Sequence, residues 1–141
     1  MNDISREVSA GGVLVRDKNG HKEALLMKIR HYGYEIPKGH IEAGESSPDA
    51  AARELCEETS LLSKPVLQNS LGDLEYSFRF ENKNITKRVY YFLFTTAEAA
   101  RFGQKPKEVK ELKWISLAEL DKLPLVNEEL RNMIRLALTK Q

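Results

Sequence analysis

Three glutamates spaced to share one face of a short helix constrain this chain more than any other feature. Residues 39–61 read GHIEAGESSPDAAARELCEETSL. Ser47 offers a natural N-cap, and Pro48 fits the first helical position, where a missing N–H costs nothing. Ala50, Ala51 and Ala52 favour helix strongly, so the pattern predicts a helix from about Pro48 to Thr59. At roughly 100° per residue, Glu54, Glu57 and Glu58 fall within an arc of about 100°. Ala51, Leu55, Cys56 and Thr59 fall on the neighbouring face, which can pack inward, and Arg53 lies one turn before Glu57. Like charges at this spacing destabilise an isolated helix by about 0.2–0.5 kcal/mol per pair. A run of this kind taken alone is ordinarily a solvated acidic face. The other reading is a divalent cation, and carboxylate and carbonyl oxygens suit Mg²⁺ or Mn²⁺ rather than zinc.

A longer register frames these glutamates, and the resemblance it carries favours the cation. Gly39, Glu45, Arg53, Glu54, Leu55, Glu57, Glu58 and Leu61 stand in the register G-x5-E-x7-R-E-U-x-E-E-x-G-U, with U a bulky apolar residue. This stretch resembles the signature of the Nudix hydrolases. The one departure is Ser60, where the family has glycine; a helix exit with positive φ favours glycine there, so the exit turn is the part in question. The resemblance implies an α+β fold, an α/β/α sandwich with a mixed sheet between helices. It also implies hydrolysis of a pyrophosphate linkage and assigns Glu54, Glu57 and Glu58 as metal ligands. The Gly39 carbonyl is a candidate further ligand, Arg53 the orienting partner of the carboxylates, and Glu45 a tie between loop and helix. The general base, in this family, is a glutamate of the signature or an acid from a later loop; Glu108 occupies that later position in sequence and Glu111 is the fallback. Mg²⁺ is the expected cofactor, with Mn²⁺ possible.

A chain of 141 residues with one cysteine and a net charge of +1 narrows the alternatives. The length predicts a single domain, residues 1–141. The charge argues against wholesale electrostatic binding to nucleic acid or membranes. Cys56 excludes an internal disulfide and reads as a buried, inert thiol. The sequence MNDISREVSAGG has no apolar run for a signal peptide, and no stretch approaches the ~20 residues of a membrane span. A cytoplasmic location, a small nucleotide as partner, and a monomer or homodimer are the expectations.

Around the signature the chain alternates strand and turn signals. Strands are predicted at Val8–Val15 and Glu23–Arg30 about an Asp17–Gly20 turn, at residues 66–80, Thr86–Thr95 and Glu111–Ile115, with a turn at residues 81–84. The pair Gly11-Gly12 permits close backbone approach. Ser116 and Glu119 read as a capping box, and Asn127 as the cap of a last helix whose Leu130, Met133, Ile134, Ala137 and Leu138 form a core stripe. Alternation puts Lys87, Val89, Tyr91 and Leu93 on one face of their strand and Arg88, Tyr90, Phe92 and Phe94 on the other. The segment PKGH at 37–40 and the layout of residues 74–93 are similar to the diadenosine tetraphosphate hydrolases within the Nudix family. That likeness makes Lys38, His40, Tyr76, Lys87 and Tyr91 candidate substrate contacts: an exposed tyrosine for an adenine, a lysine for phosphate. The expected substrate is a dinucleoside polyphosphate. The alternatives are a nucleoside triphosphate pyrophosphatase, which would need a hydrogen-bonding base pocket, and a nucleotide-sensing domain without catalysis.

Overall fold

The computed structural model describes residues 4–140. The N-terminal turn signal closes a two-residue hairpin between β1 (Ile4–Lys18) and β2 (His21–Lys28), with Lys18 opposite His21. Asn19 and Gly20 carry φ of 53° and 83°, and positive φ at both positions matches the twist of the flanking strands. A second such turn, at Glu81 and Asn82 with φ of 48° and 63°, joins β4 (Val66–Phe80) to β5 (Lys83–Thr95). The strands run further than the apolar pattern predicted, because both turns are tight enough to carry pairing up to their corners.

β1 organises the sheet. Residues 4–14 lie parallel to β5, Ser9–Gly11 pair antiparallel with β3 (Lys38–His40), and Val15–Lys18 pair with β2. β6 (Glu111–Ser116) adds to β2, giving the mixed order β4-β5-β1-β2-β6. Helix α1 (Ser47–Thr59) covers one face, where Ala50, Ala51 and Leu55 pack with Ala10, Leu14, Leu25, Phe92 and Phe94. A short α2 (Leu117–Leu120) leads to α3 (Glu129–Thr139), which covers the other. There Leu130, Ile134 and Ala137 pack with Val13, Leu26, Val89, Tyr91 and Leu93. The α+β sandwich and the alternation of faces on β5 are as the sequence implied. The paired glycines have a packing reason: a Cβ on Gly11 would stand 2.9 Å from the Pro37 carbonyl and the Tyr91 ring. No helix among the described residues is long and apolar enough to cross a membrane.

Three details differ from the sequence reading. Ser46, not Ser47, caps α1, its Oγ accepting from Asp49 N at 3.2 Å; Pro48 still falls in the first turn, whose N–H groups have no helical partner. The N-cap of α3 is Glu128, not Asn127; Asn127, one residue earlier, accepts from Glu129 N through Oδ1 at 2.9 Å. In β4 the predicted half-buried alternation fails at its end, leaving Phe78 and Phe80 46% and 59% exposed, because β4 is an edge strand and its hairpin with β5 extends beyond the helices.

The helix exit explains the serine where a glycine was expected. Ser60 is left-handed, φ 61°, and its Oγ donates to the Gln104 carbonyl at 2.6 Å while Gly103 N donates to the Ser60 carbonyl at 2.8 Å. Strain at φ > 0 and the hydroxyl's hydrogen bond are each about 1 kcal/mol and oppose one another. Ser60→Ala, which keeps the strain and loses the bond, is expected to destabilise by about 1–2 kcal/mol in urea denaturation. Ser60→Gly is expected to fall within about 0.5 kcal/mol of the parent. A clear gain for glycine would mean that the bond to Gln104 contributes nothing.

Candidate active site

The signature residues meet where α1 faces the loop leaving β3. Arg53 is the hub. Its Nε and Nη2 donate to the two oxygens of Glu45 at 2.8 and 3.1 Å, and Nη2 also reaches the His40 carbonyl at 3.0 Å. Its Nη1 donates to Glu54 at 2.9 Å and lies 3.3 Å from Glu57 Oε2. The bidentate pair holds the Glu45 carboxyl below the usual carboxylate range, chiefly through the Arg53 hydrogen bonds, and raises the guanidinium in turn. These bonds join Glu45 of the 41–45 loop to the helix and pair Arg53 with the Glu45 and Glu54 carboxylates.

The three glutamates stand differently. Glu54 lies beneath Gly39, so near that a Cβ there would be 2.2 Å from its carboxyl carbon. Glu58 points toward the same loop and accepts from Lys38 N at 3.0 Å. Burial, and secondarily the nearby Glu54, push its carboxyl up to about 7 against the opposing Lys38 hydrogen bond. Glu57 is mostly in solvent, its side chain 59% exposed. Among the described residues no three such side chains converge closely enough to hold an ion as they stand, because Arg53 sits between Glu54 and Glu57. The donor set nonetheless fits a hard cation. Glu54 and Glu58 already flank the Lys38–Gly39 backbone, glycine leaves that space open, and Glu57 is free to turn inward.

Beside this cluster lies a cavity of about 520 Å³ lined by Glu35, Lys38, Tyr76, Lys87 and Asn127 among others. Lys38 links the two, its backbone on Glu58 and its side chain on the cavity. Burial, then the like charge of Lys38, lowers the Lys87 ammonium. Tyr76 is half-buried at the wall, its hydroxyl raised by burial. Lys38, Tyr76 and Lys87 are therefore brought together in the lining of one cavity.

Four candidates are placed otherwise. Tyr91 is not exposed: it is wholly buried in the core, 3.5 Å from the Tyr76 hydroxyl, and its own hydroxyl is raised by burial. The expectation of an exposed Tyr91 is corrected, since α3 covers this part of the sheet. His40 is exposed, and its carbonyl rather than its ring meets the site. Glu108 is exposed in a turn and makes no side-chain hydrogen bond among the described residues. Glu111 accepts from the Tyr34 hydroxyl at 2.6 Å. Cys56 is partly rather than fully buried as the sequence reading had it, and that burial raises its thiol. The sequence reading missed Glu35 and Asn127; nothing in a single acid or amide between turns distinguishes it from a solvated one.

The comparisons with known proteins identify the family and the fold. The NUDIX domain matches residues 5–137. The chain is 33% identical over 127 residues to the 8-oxo-(d)GTP phosphatase of Mycolicibacterium smegmatis, covering 82% of this chain and 37% of that protein. Its fold is similar to the C. elegans Ap4A hydrolase, with a TM-score of 0.64 at 21% identity, covering 92% of this chain and 93% of that one. It is similar also to the NUDIX domain of Shewanella oneidensis NrtR complexed with ADP ribose, with a TM-score of 0.67 at 21% identity, covering 96% and 90%. The chain spans 48%, 37% and 66% of the length of three curated relatives it matches.

Proposed function

This chain belongs to the NUDIX domain family, and on that premise we propose that it is a metal-dependent hydrolase that cuts a phosphoanhydride bond in a nucleotide derivative. The observation carrying this reading is the junction at Lys38: its backbone meets the carboxylate helix and its side chain meets the Lys87–Tyr76 cavity. Glu54, Glu58 and the Gly39 carbonyl, completed by Glu57, would hold Mg²⁺ or Mn²⁺. A divalent cation there supplies neutralisation of the charge that builds on phosphate oxygens in the transition state. Arg53 keeps Glu54 and Glu57 oriented and, through Glu45, keeps the loop against the helix. Lys38 and Lys87 offer two cations to the phosphate chain, and Tyr76 a ring face to the base, a contact worth about 1–3 kcal/mol.

The geometry supports a nucleoside triphosphate best. One cavity with one accessible tyrosine accommodates one nucleoside, and the hydrogen-bonding side chains that a base pocket needs are present in Glu35 and Asn127. The second reading, a dinucleoside polyphosphate such as diadenosine tetraphosphate, is favoured by the row of Arg30, Lys38 and Lys87 along the cavity, which suits a long anion. Product release from nucleoside triphosphates and from diadenosine tetraphosphate, with and without Mg²⁺, tests both. The proposal predicts turnover only with the metal and a kcat/KM at least about tenfold higher on the best triphosphate, ~1.4 kcal/mol in transition-state binding. The reverse order would favour the second reading, and turnover indifferent to Mg²⁺ would remove the metal site.

Glu58 gives the metal a signature in stability. Its folded pKa of about 7 lies above the ordinary 4.5, so between those values the folded state binds more protons than the unfolded one. Stability of the metal-free protein therefore falls as pH rises from 4.5 to about 7 and stays lower above. A cation at Glu58 relieves that penalty and competes with the proton. The rise in Tm on adding Mg²⁺ is expected to be larger at pH 8 than at pH 5.5. An equal rise at both would show that Glu58 is not a ligand.

A further inference from the structure

Glu35 stands in the segment that delivers Lys38. Its backbone is fixed on both sides, Glu35 N donating to Met27 O at 2.8 Å and Met27 N to Glu35 O at 3.0 Å. The residue is 9% exposed and lines the cavity. Its Oε2 is buried without a hydrogen-bond partner among the described residues, and no cation there lies within ion-pairing distance of it. The other such buried atom is Ser9 Oγ; Ser9 is in register with Val89, on the face that carries Lys87 and Tyr91. An unpaired buried polar atom costs about 1–3 kcal/mol, more if charged. Among the described residues neither oxygen of this carboxylate has a hydrogen-bond partner, and the residue lines the cavity, which points to a partner that arrives from the cavity side.

Charge and donor count say what the partner is. A phosphate is excluded at Glu35 by like charge, and the cations for phosphate are already on the wall in Arg30, Lys38 and Lys87. A carboxylate accepts only, and two donors side by side satisfy it best. Asn127 complements it: its Oδ1 is taken by Glu129 N, which leaves the amide N–H₂ to donate. Acceptor on Glu35, donor on Asn127 and the Tyr76 ring describe a planar group with one carbonyl and two adjacent N–H donors. We propose that Glu35 reads the base of the nucleotide, taking the ring N–H and amino N–H₂ of a guanine-type edge while Asn127 meets its carbonyl. Adenine, with an amino donor beside an acceptor nitrogen, leaves the carboxylate half unpaired. A site built on such hydrogen bonds rejects the analogue lacking them more strongly than an apolar pocket does.

This deepens the hydrolase reading and rests on it for turnover, but base reading can be measured without turnover. Equilibrium binding of GMP, IMP, AMP and 2′-deoxy-GMP to the metal-free protein is the first test. GMP is expected to bind at least about tenfold more tightly than AMP, with IMP, which lacks the amino group, between them and deoxy-GMP within about threefold of GMP. In Glu35→Gln the GMP preference is expected to shrink to about threefold or less, and the kcat/KM ratio of GTP to ATP to shrink with it, mainly through KM. Equal binding of GMP and AMP by the parent protein would overturn the proposal even if Glu35→Gln fails to fold. So would a variant that weakens all four nucleotides alike, or discrimination that follows the sugar instead of the base. A GMP preference in a protein that hydrolyses no nucleotide would leave base reading standing and remove the hydrolase reading alone.

Discussion

Glu57→Gln is expected to cut kcat by about two orders of magnitude or more at saturating Mg²⁺ while moving Tm by only a few degrees. The side chain is 59% exposed and its one ion pair is with Arg53 at 3.3 Å. An exposed pair of that kind contributes about 0–1 kcal/mol, so a residue with a merely structural role here could not produce such a loss. In the proposed site its carboxylate would matter only when a cation and a phosphate chain share the face. Glu108→Gln is the matched comparison from the turn in the later loop, where the side chain is exposed and makes no hydrogen bond among the described residues. Wild-type turnover in Glu57→Gln would remove it from the ligand set. A larger loss in Glu108→Gln would move the base to that loop.

Tyr91→Ala is expected to destabilise the fold by about 3–5 kcal/mol. The ring is wholly buried in the cluster between sheet and α3, close enough to β1 that Gly11 has no room for a Cβ. Its loss leaves a void in a close-packed apolar cluster, whose surroundings relax only partly into it. Urea denaturation measures the effect directly. At the wall, Tyr76→Ala is the change that is expected to raise KM for the nucleotide. A stable Tyr91→Ala whose KM rises instead would return that ring to the substrate.

The contrast between the two tyrosines shows where sequence stops being legible. Residues 76 and 91 are both aromatic, both on strands, and both on the face that alternation assigns them. Only the packing of α3, some 40 residues further along, buries one and leaves the other half open. Local periodicity carries no information on that. By contrast α1 was legible nearly to the residue, since its apolar and acidic stripes obey a 3.6-residue repeat and its ends carry serine and proline. Its cap was read one position late, at Ser47, and the hydrogen bond from Asp49 N places it at Ser46. Glu35 was invisible because its meaning is burial without a partner, which no spacing encodes. Glu108 was picked out only by its place in the sequence, and the structure shows it exposed in a turn.

The pairing of β1 has a consequence for how this protein comes together. Ile4 lies opposite Asn84 and Leu14 opposite Phe94, so the central strand finds its partner about 80 positions away. Loop-closure entropy must be met before that contact gains anything, and non-local parallel pairing is intrinsically slow. Until β5 docks, β1 has β2 and β3 on one side and nothing on the other, and Lys38 is not yet near Lys87. The half of the site that holds carboxylates can therefore form from local contacts, whereas the nucleotide cavity exists only after the longest-range step of folding. Refolding followed at the cavity should lag refolding followed at α1.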